Sequence, residues 1–179
     1  MIDENGNSGA AGPAMVLLSG LPGAGKTTFA RALTDAVQGV HVESDGLRRA
    51  MFATPRYSSW ENAAVFAAVE RAAAEALGAG RVAVVDATNL TRRDRVRFVR
   101  LAANDGRRLV CVRVTAADEV IRARLTAPRE GNSQADLRVY ALMRSKAQSF
   151  LGPVVVVDTR YDVHPSVALV GRLLKEPHY

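Results

Sequence analysis

An α/β fold, a parallel sheet covered by helices on both faces, is predicted by three observations. Five short apolar runs, at 15–19, 40–44, 81–86, 107–115 and 153–158, alternate with longer segments of helical periodicity. A glycine-rich loop, Gly20-Leu-Pro-Gly-Ala-Gly-Lys-Thr27, separates the first run from the first helix. The second and third runs lead into carboxylates, Asp45 and Asp86. Such positions matter because open α/β sheets bind ligands in the crevice outside the carboxyl ends of their strands.

In order, residues Met1 to Ala14 are rich in Gly, Asn and Ala and read as a disordered lead-in to one domain over 15–179. Met15–Ser19 is a buried strand and Thr27–Val37 a helix that Gly39 ends. Val40–Ser44 alternates apolar residues and ends beside Asp45, and a short helix is expected from Leu47 to Phe52. After the turn-rich 53–59, Ser58-Ser-Trp-Glu61 has capping-box spacing for a long helix with Ala63, Val65, Phe66, Val69 and Leu77 inward. Arg81–Asp86 is a strand; Thr91-Arg-Arg-Asp94 caps a helix whose Val96, Val99 and Leu101 face inward before Gly106. Arg107–Thr115 is a fourth strand, and Thr115-Ala-Ala-Asp118 has capping-box spacing for a helix that Pro128 interrupts. A polar link leads to a helix over 134–150, then to the strand at 153–158 and a last helix from Pro165 to Leu174.

With 179 residues, 48% of them hydrophobic, the chain can build one sizeable core. No run approaches the roughly 18 apolar residues of a membrane span, and Asp3 and Glu4 stand where a secretory signal carries positive charge, so a cytoplasmic protein is expected. Cys111, alone in an apolar run, reads as a buried thiol. The net charge of +6 fits polyanionic ligands, a nucleoside triphosphate alone or a nucleic acid as well. Only Lys26, Lys146 and Lys175 are lysines among 24 basic residues, so a compositional bias toward arginine explains the same charge. His41, His164 and His178 have no metal-ligand spacing.

The loop satisfies G-x-x-x-x-G-K-[ST]. Gly20, Gly23 and Gly25 let the backbone curl through Leu21, Pro22 and Ala24, so that N–H groups converge on phosphate oxygens. Lys26 adds a point charge at the β/γ-phosphates, Thr27 a hydroxyl for Mg²⁺, and Thr28 continues the helix whose N-terminus faces the anion. Asp86 closes its strand as a second Mg²⁺ ligand, with Asn89 fixing the next turn. Asp45 is placed to take the proton of an attacking hydroxyl, and Arg48, one helical turn on, to hold an anionic group of the acceptor, with Arg49 as competitor. Tyr57 and Trp60 either stack a base at the acceptor entrance or serve as core plug and hydrophobic staple.

Together, 20–28, Ser44-Asp-Gly-Leu-Arg48 and Asp86-Ala-Thr-Asn89 resemble the polynucleotide kinase-like P-loop kinases, of the AAA_33 and zeta-toxin-like superfamily. The resemblance spans most of 15–174. It implies a three-layer P-loop NTPase fold with sheet order 2-3-1-4-5, a small helical lid at about 122–135, and ATP and Mg²⁺ as cofactors. It assigns Asp45 as general base and Arg48 to an acceptor phosphate. The family carries two lid arginines four residues apart; Arg124 matches the first, and Pro128 stands at the second. Arg129, one residue late, or Arg122 is left for the second role. Asp158-Thr-Arg-Tyr161 falls where such kinases meet the adenine edge. The expected activity is transfer of the γ-phosphoryl group to a hydroxyl, a polynucleotide 5′ end leading over a small antibiotic- or sugar-type alcohol. A nucleotide switch that transfers only to water is the reading from another class. No membrane and no obligatory protein partner is expected.

Overall fold

The computed structural model describes residues 12–104, 106–127 and 137–176. The tail expected at 1–14 therefore lies almost wholly outside the described residues, as do Pro128, Arg129 and most of the lid link. Five strands, β1 (Ala14–Ser19), β2 (Val40–Glu43), β3 (Ala83–Asp86), β4 (Arg108–Thr115) and β5 (Val155–Asp158), form one parallel sheet in the order β2-β3-β1-β4-β5. The helices are α1 (Lys26–Val37), α2 (Ser44–Met51), α3 (Ser59–Gly78), α4 (Arg92–Asn104), α5 (Asp118–Thr126), α6 (Leu137–Lys146) and α7 (His164–Lys175). No described helix is long and apolar enough to cross a membrane.

All six residues of β1 are buried, because β1 is central and its alternate side chains feed two cores. Val16 and Leu18 join Phe29, Leu33, Val84, Val112, Val170 and Leu174 under α1 and α7. Met15 and Leu17 join Val69, Leu77, Val85 and Phe98 under α3 and α4. Cys111 packs against the second core half-buried, and burial pushes its thiol up, away from the reactive thiolate.

Several local expectations shift. α2 starts at Ser44, so Asp45 sits in its first turn, where an acidic side chain complements the helix dipole, and not at the end of β2. Arg95, Phe98 and Ala102 are the buried residues of α4 and Leu101 packs partly buried on the second core as expected, while Val99 is 44% exposed; Arg95 turns inward to donate to backbone carbonyls. In α3, Ala63 faces solvent, and Ala68, Ala73 and Ala76 carry much of the buried face. α5 is capped by Ala117 without a side-chain bond, in place of the expected Thr115 cap. Its Asp118 turns instead to α6, accepting from Tyr140 Oη and, at 2.6 Å each, from Arg122 and Arg144. α6 stops at Lys146, short of Phe150, because the backbone beyond it docks elsewhere: Gln148 N donates to Leu90 O at 2.9 Å and Ser149 O accepts from Arg95 at 2.7 Å.

Candidate active site

The loop between β1 and α1 is held from both sides. Gly20 N donates to Thr88 O at 3.1 Å, and a Cβ on Gly20 would meet Val114 O at 2.4 Å, so only glycine passes between β3 and β4 there. Gly23 (φ 78°) and Gly25 (φ 89°) are left-handed, and Gly25 caps α1. Pro22 and Ala24 are buried, Leu21 packs on the core, and Thr28 is exposed on α1. The first turn of α1 thus presents its N–H groups toward the loop, as anion binding requires.

Thr159, just beyond β5, clasps this loop. Its hydroxyl donates to Ala24 O at 2.9 Å and accepts from Arg124 at 2.8 Å, while Arg124 also donates to Thr159 O at 3.0 Å and Gly23 O at 3.3 Å. Thr159 carried no signal of its own in the sequence beyond its place after a strand. Arg122, the alternative lid arginine, is engaged with Asp118 at 2.6 Å. Arg129 lies outside the described residues.

On the other side of the loop, Thr27 Oγ1 donates to Asp86 Oδ2 at 2.8 Å, bringing the two expected Mg²⁺ ligands together. His41 Nε2 lies 3.1 Å from the same oxygen. The strand register explains the meeting: Glu43 pairs with Asp86 and His41 with Val84, so His41 and Asp86 project from one face of the sheet. Asn89 (φ 42°) donates to Leu18 O at 2.8 Å, and its own carbonyl accepts from Ser19 Oγ at 3.0 Å and Arg95 at 3.1 Å, locking the turn after Asp86.

The titrating groups diverge. Burial lowers the Lys26 ammonium, against the pull of Asp86 and Asp45, and its Nζ donates to Leu21 O at 3.1 Å. Burial raises the Asp45 carboxyl; Lys26 opposes the rise and Asp86 adds to it. Burial also pushes Asp86 up, but the His41 hydrogen bond, the Lys26 charge and the Thr27 hydroxyl outweigh it and hold Asp86 below the usual carboxylate range. The two carboxyls are thereby shifted in opposite directions, Asp86 below its ordinary value and Asp45 above it.

Around Asp45, Arg48 is buried, donating to Asn62 Oδ1 at 2.7 Å, 3.8 Å from Glu61 Oε2 and stacked 4.5 Å over the Tyr57 ring. Its Nε and Nη1 are buried without a hydrogen-bond partner. Glu61 caps less than its spacing suggested: its N–H is bound by Ser58 Oγ at 3.2 Å, but its carboxylate accepts from Arg56 N. Trp60 is 69% exposed with its ring edge against Phe52, and Tyr57 (φ 55°) is 44% exposed, so neither is a core plug.

The residues present fit a Mg²⁺–triphosphate. The Thr27 and Asp86 oxygens are a hard-donor pair of the kind Mg²⁺ takes before completing its shell with phosphate and water.

The comparisons agree with this fold. The family model AAA_33, described as an AAA domain, matches residues 15–150. The uncharacterized protein Rv2004c of Mycobacterium tuberculosis is 28% identical over 144 residues, covering 74% of this chain. The chain spans only 29% of the length of the curated relatives it matches. Among solved structures, the Mycobacterium tuberculosis APS kinase CysC in complex with AMPPNP and APS superposes with a TM-score of 0.72 at 16% identity, covering 92% of this chain and 99% of that one. A gluconokinase from Sinorhizobium meliloti 1021 gives 0.68 at 20% identity, covering 90% and 94%. Chaetomium thermophilum Kti12 in complex with ADP-AlF3 gives 0.69 at 19% identity, covering 89% and 96%. At these identities the likeness is one of fold. With the family model covering residues 15–150, most of the chain, this chain belongs to the AAA_33 family of P-loop proteins.

Proposed function

We propose that the chain is an ATP- and Mg²⁺-dependent phosphotransferase that moves the γ-phosphoryl group to an alcohol, with a polynucleotide 5′-hydroxyl as acceptor. The observation that carries the proposal is the meeting of Thr27 Oγ1 and Asp86 Oδ2 at 2.8 Å beside the glycine loop, with Asp45 near enough to interact with both Lys26 and Asp86; the opposed shifts of the two carboxyls support it. Carboxylates whose environments push their pKa values apart mark a division between a charge-holding group and a proton-accepting one. A nucleotide switch that transfers only to water is the alternative, and the acceptor assay below separates the two.

In this reading the loop N–H groups and Lys26 bind the phosphates, and Arg124, tied to Gly23 and Thr159, stands on the nucleotide side. Thr27 and Asp86 hold the Mg²⁺, which when bound neutralises charge on the β- and γ-phosphates. Asp45 accepts the proton of the acceptor hydroxyl as its oxygen bonds to phosphorus, the bond to the bridging oxygen breaks, and ADP leaves. Arg48, whose Nε has no hydrogen-bond partner and whose Nη1 has only the 3.8 Å ion pair with Glu61, suits an anionic group on the acceptor, and Trp60 with Tyr57 offers exposed aromatic faces for a base.

The test is to incubate radiolabelled ATP with 5′-hydroxyl oligonucleotides and with a panel of small alcohols. Label on the oligonucleotide 5′ end is the expected result. Label only on a small alcohol would replace the acceptor but keep the chemistry, and release of phosphate to water alone would end the kinase reading.

A further inference from the structure

The exposed side of α4 carries a groove of about 510 Å³ lined by Arg92, Arg93, Val96, Arg97 and Arg100. Arg93, Arg97 and Arg100 stand at i, i+4 and i+7, the spacing that puts side chains on one helix face. Neither Arg93 nor Arg100 has a side-chain hydrogen bond or carboxylate partner among the described residues, and both are exposed. Arg97 is pinned between them, its Nη1 3.1 Å from Glu70 and its guanidinium 4.7 Å over the Phe66 ring. The lone acid of α4, Asp94, does not neutralise the stripe, because its carboxylate turns back to Thr91 N and Oγ1 at 3.2 and 2.7 Å.

Position makes the stripe more than solvated charge. α3 and α4 cover the same face of the sheet, and both begin at the crevice where Asp45 and Asp86 lie. α3 opens with Trp60, and Arg97 joins α4 to α3 at Phe66 and Glu70. The rise from Arg93 to Arg100 is about 10 Å, enough to meet two successive phosphates of a single strand. We propose that the Arg93–Arg97–Arg100 stripe is a track for the phosphodiester backbone of a single-stranded nucleic acid, leading away from the mouth marked by Trp60. The proposal rests on the polynucleotide reading of the acceptor and names the surface that would hold its downstream nucleotides. Guanidinium groups suit phosphate oxygens through their planar fork, and the contacts carry no base specificity.

The experiment measures binding and transfer separately. Binding of a labelled single-stranded 5′-hydroxyl 15-mer and of a dinucleotide is followed by fluorescence anisotropy across salt concentrations, and phosphate transfer is assayed in parallel. An Arg93→Ala/Arg100→Ala variant is expected to bind the 15-mer about tenfold more weakly, with the slope of log K against log salt reduced by about 1.4, as two lost phosphate contacts require. Dinucleotide binding and turnover stay unchanged, and Arg93→Lys/Arg100→Lys restores most of the 15-mer affinity. Removing equal charge from the opposite layer, with Arg172→Ala/Lys175→Ala, leaves binding intact.

Equal loss in that control, an unaltered 15-mer affinity in the α4 variant, or no 15-mer binding by the native chain each overturns the track. If α4-dependent 15-mer binding persists while only a small alcohol is phosphorylated, the track stands and the polynucleotide-kinase reading falls.

Discussion

His41 Nε2 and Thr27 Oγ1 converge on one oxygen of Asp86, at 3.1 and 2.8 Å. A carboxylate that accepts two side-chain bonds on Oδ2 is fixed in rotamer and kept ionised, which is what a metal-holding group at the end of a strand needs. Removing His41 should therefore act through Asp86. For His41→Ala we expect a tenfold or greater rise in the Mg²⁺ concentration that half-saturates turnover, the usual scale for loss of a ligand's supporting hydrogen bond. His41→Asn should recover part of it. A Mg²⁺ titration of ATP turnover reads the effect, and an unchanged midpoint in His41→Ala would remove His41 from the site.

Asp45→Asn should lower transfer about 10²- to 10⁴-fold, the range for loss of a general base, while nucleotide binding persists. The pH dependence has a definite sign. Because burial raises the folded-state pKa above 3.8, folding favours the protonated form. The ionised carboxylate is thus a cost at neutral pH that protonation relieves as pH falls. The Asn variant should unfold at a higher temperature than the native chain at pH 7, and the gain should shrink as pH falls through the raised pKa. Transfer by the native chain should decline on the acid side over that same interval.

Two glycines make a paired prediction. Gly20→Ala places a methyl 2.4 Å from Val114 O, a backbone atom that cannot step aside, and should cost about 1–3 kcal/mol with loss of nucleotide binding. Gly46→Ala lies inside α2, where the nearest atom is Glu43 Oε2 at 3.4 Å on a flexible side chain, and should be neutral or stabilise by up to about 1 kcal/mol. Urea unfolding and nucleotide titration distinguish them.

Arg95, 6% exposed, donates to Asn89 O, Leu90 O and Ser149 O at 3.1, 2.8 and 2.7 Å and lies 4.3 Å over the Phe150 ring. Arg95→Met should keep much of the volume, orphan these carbonyls and cost about 2–3 kcal/mol. Proteolysis should then cut first within 147–150, which loses its anchor.

Trp60 is the chain's single tryptophan, 69% exposed with its ring edge against Phe52, on the side proposed for the acceptor. Acceptor binding should change intrinsic fluorescence, and Trp60→Ala should raise KM for an oligonucleotide while leaving ATP binding alone. A saturable acceptor that leaves the emission untouched would place the aromatic outside the acceptor path.

Periodicity and punctuation carried the elements, since a parallel strand buried on both faces is a short apolar run whatever it packs against. The glycine loop was legible for a similar reason: phosphate binding by backbone demands particular residue types at adjacent positions, and Gly23 and Gly25 take the φ values that demand implies. Asp45 and Asp86 were visible as chemistry-bearing residues near strand ends, although Asp45 proved to belong to the first turn of α2. The sequence by itself therefore determined the α/β plan, the loop and the two acids. Only the tertiary structure decided their partners. His41 reaches Asp86 through strand register, Thr159 reaches Ala24 across 135 residues of chain, and Arg95 turns inward to reach Ser149 O across 54 residues. These are contacts between residues distant along the chain, set by how elements pack, and one-dimensional spacing holds no record of which neighbour a polar side chain will find.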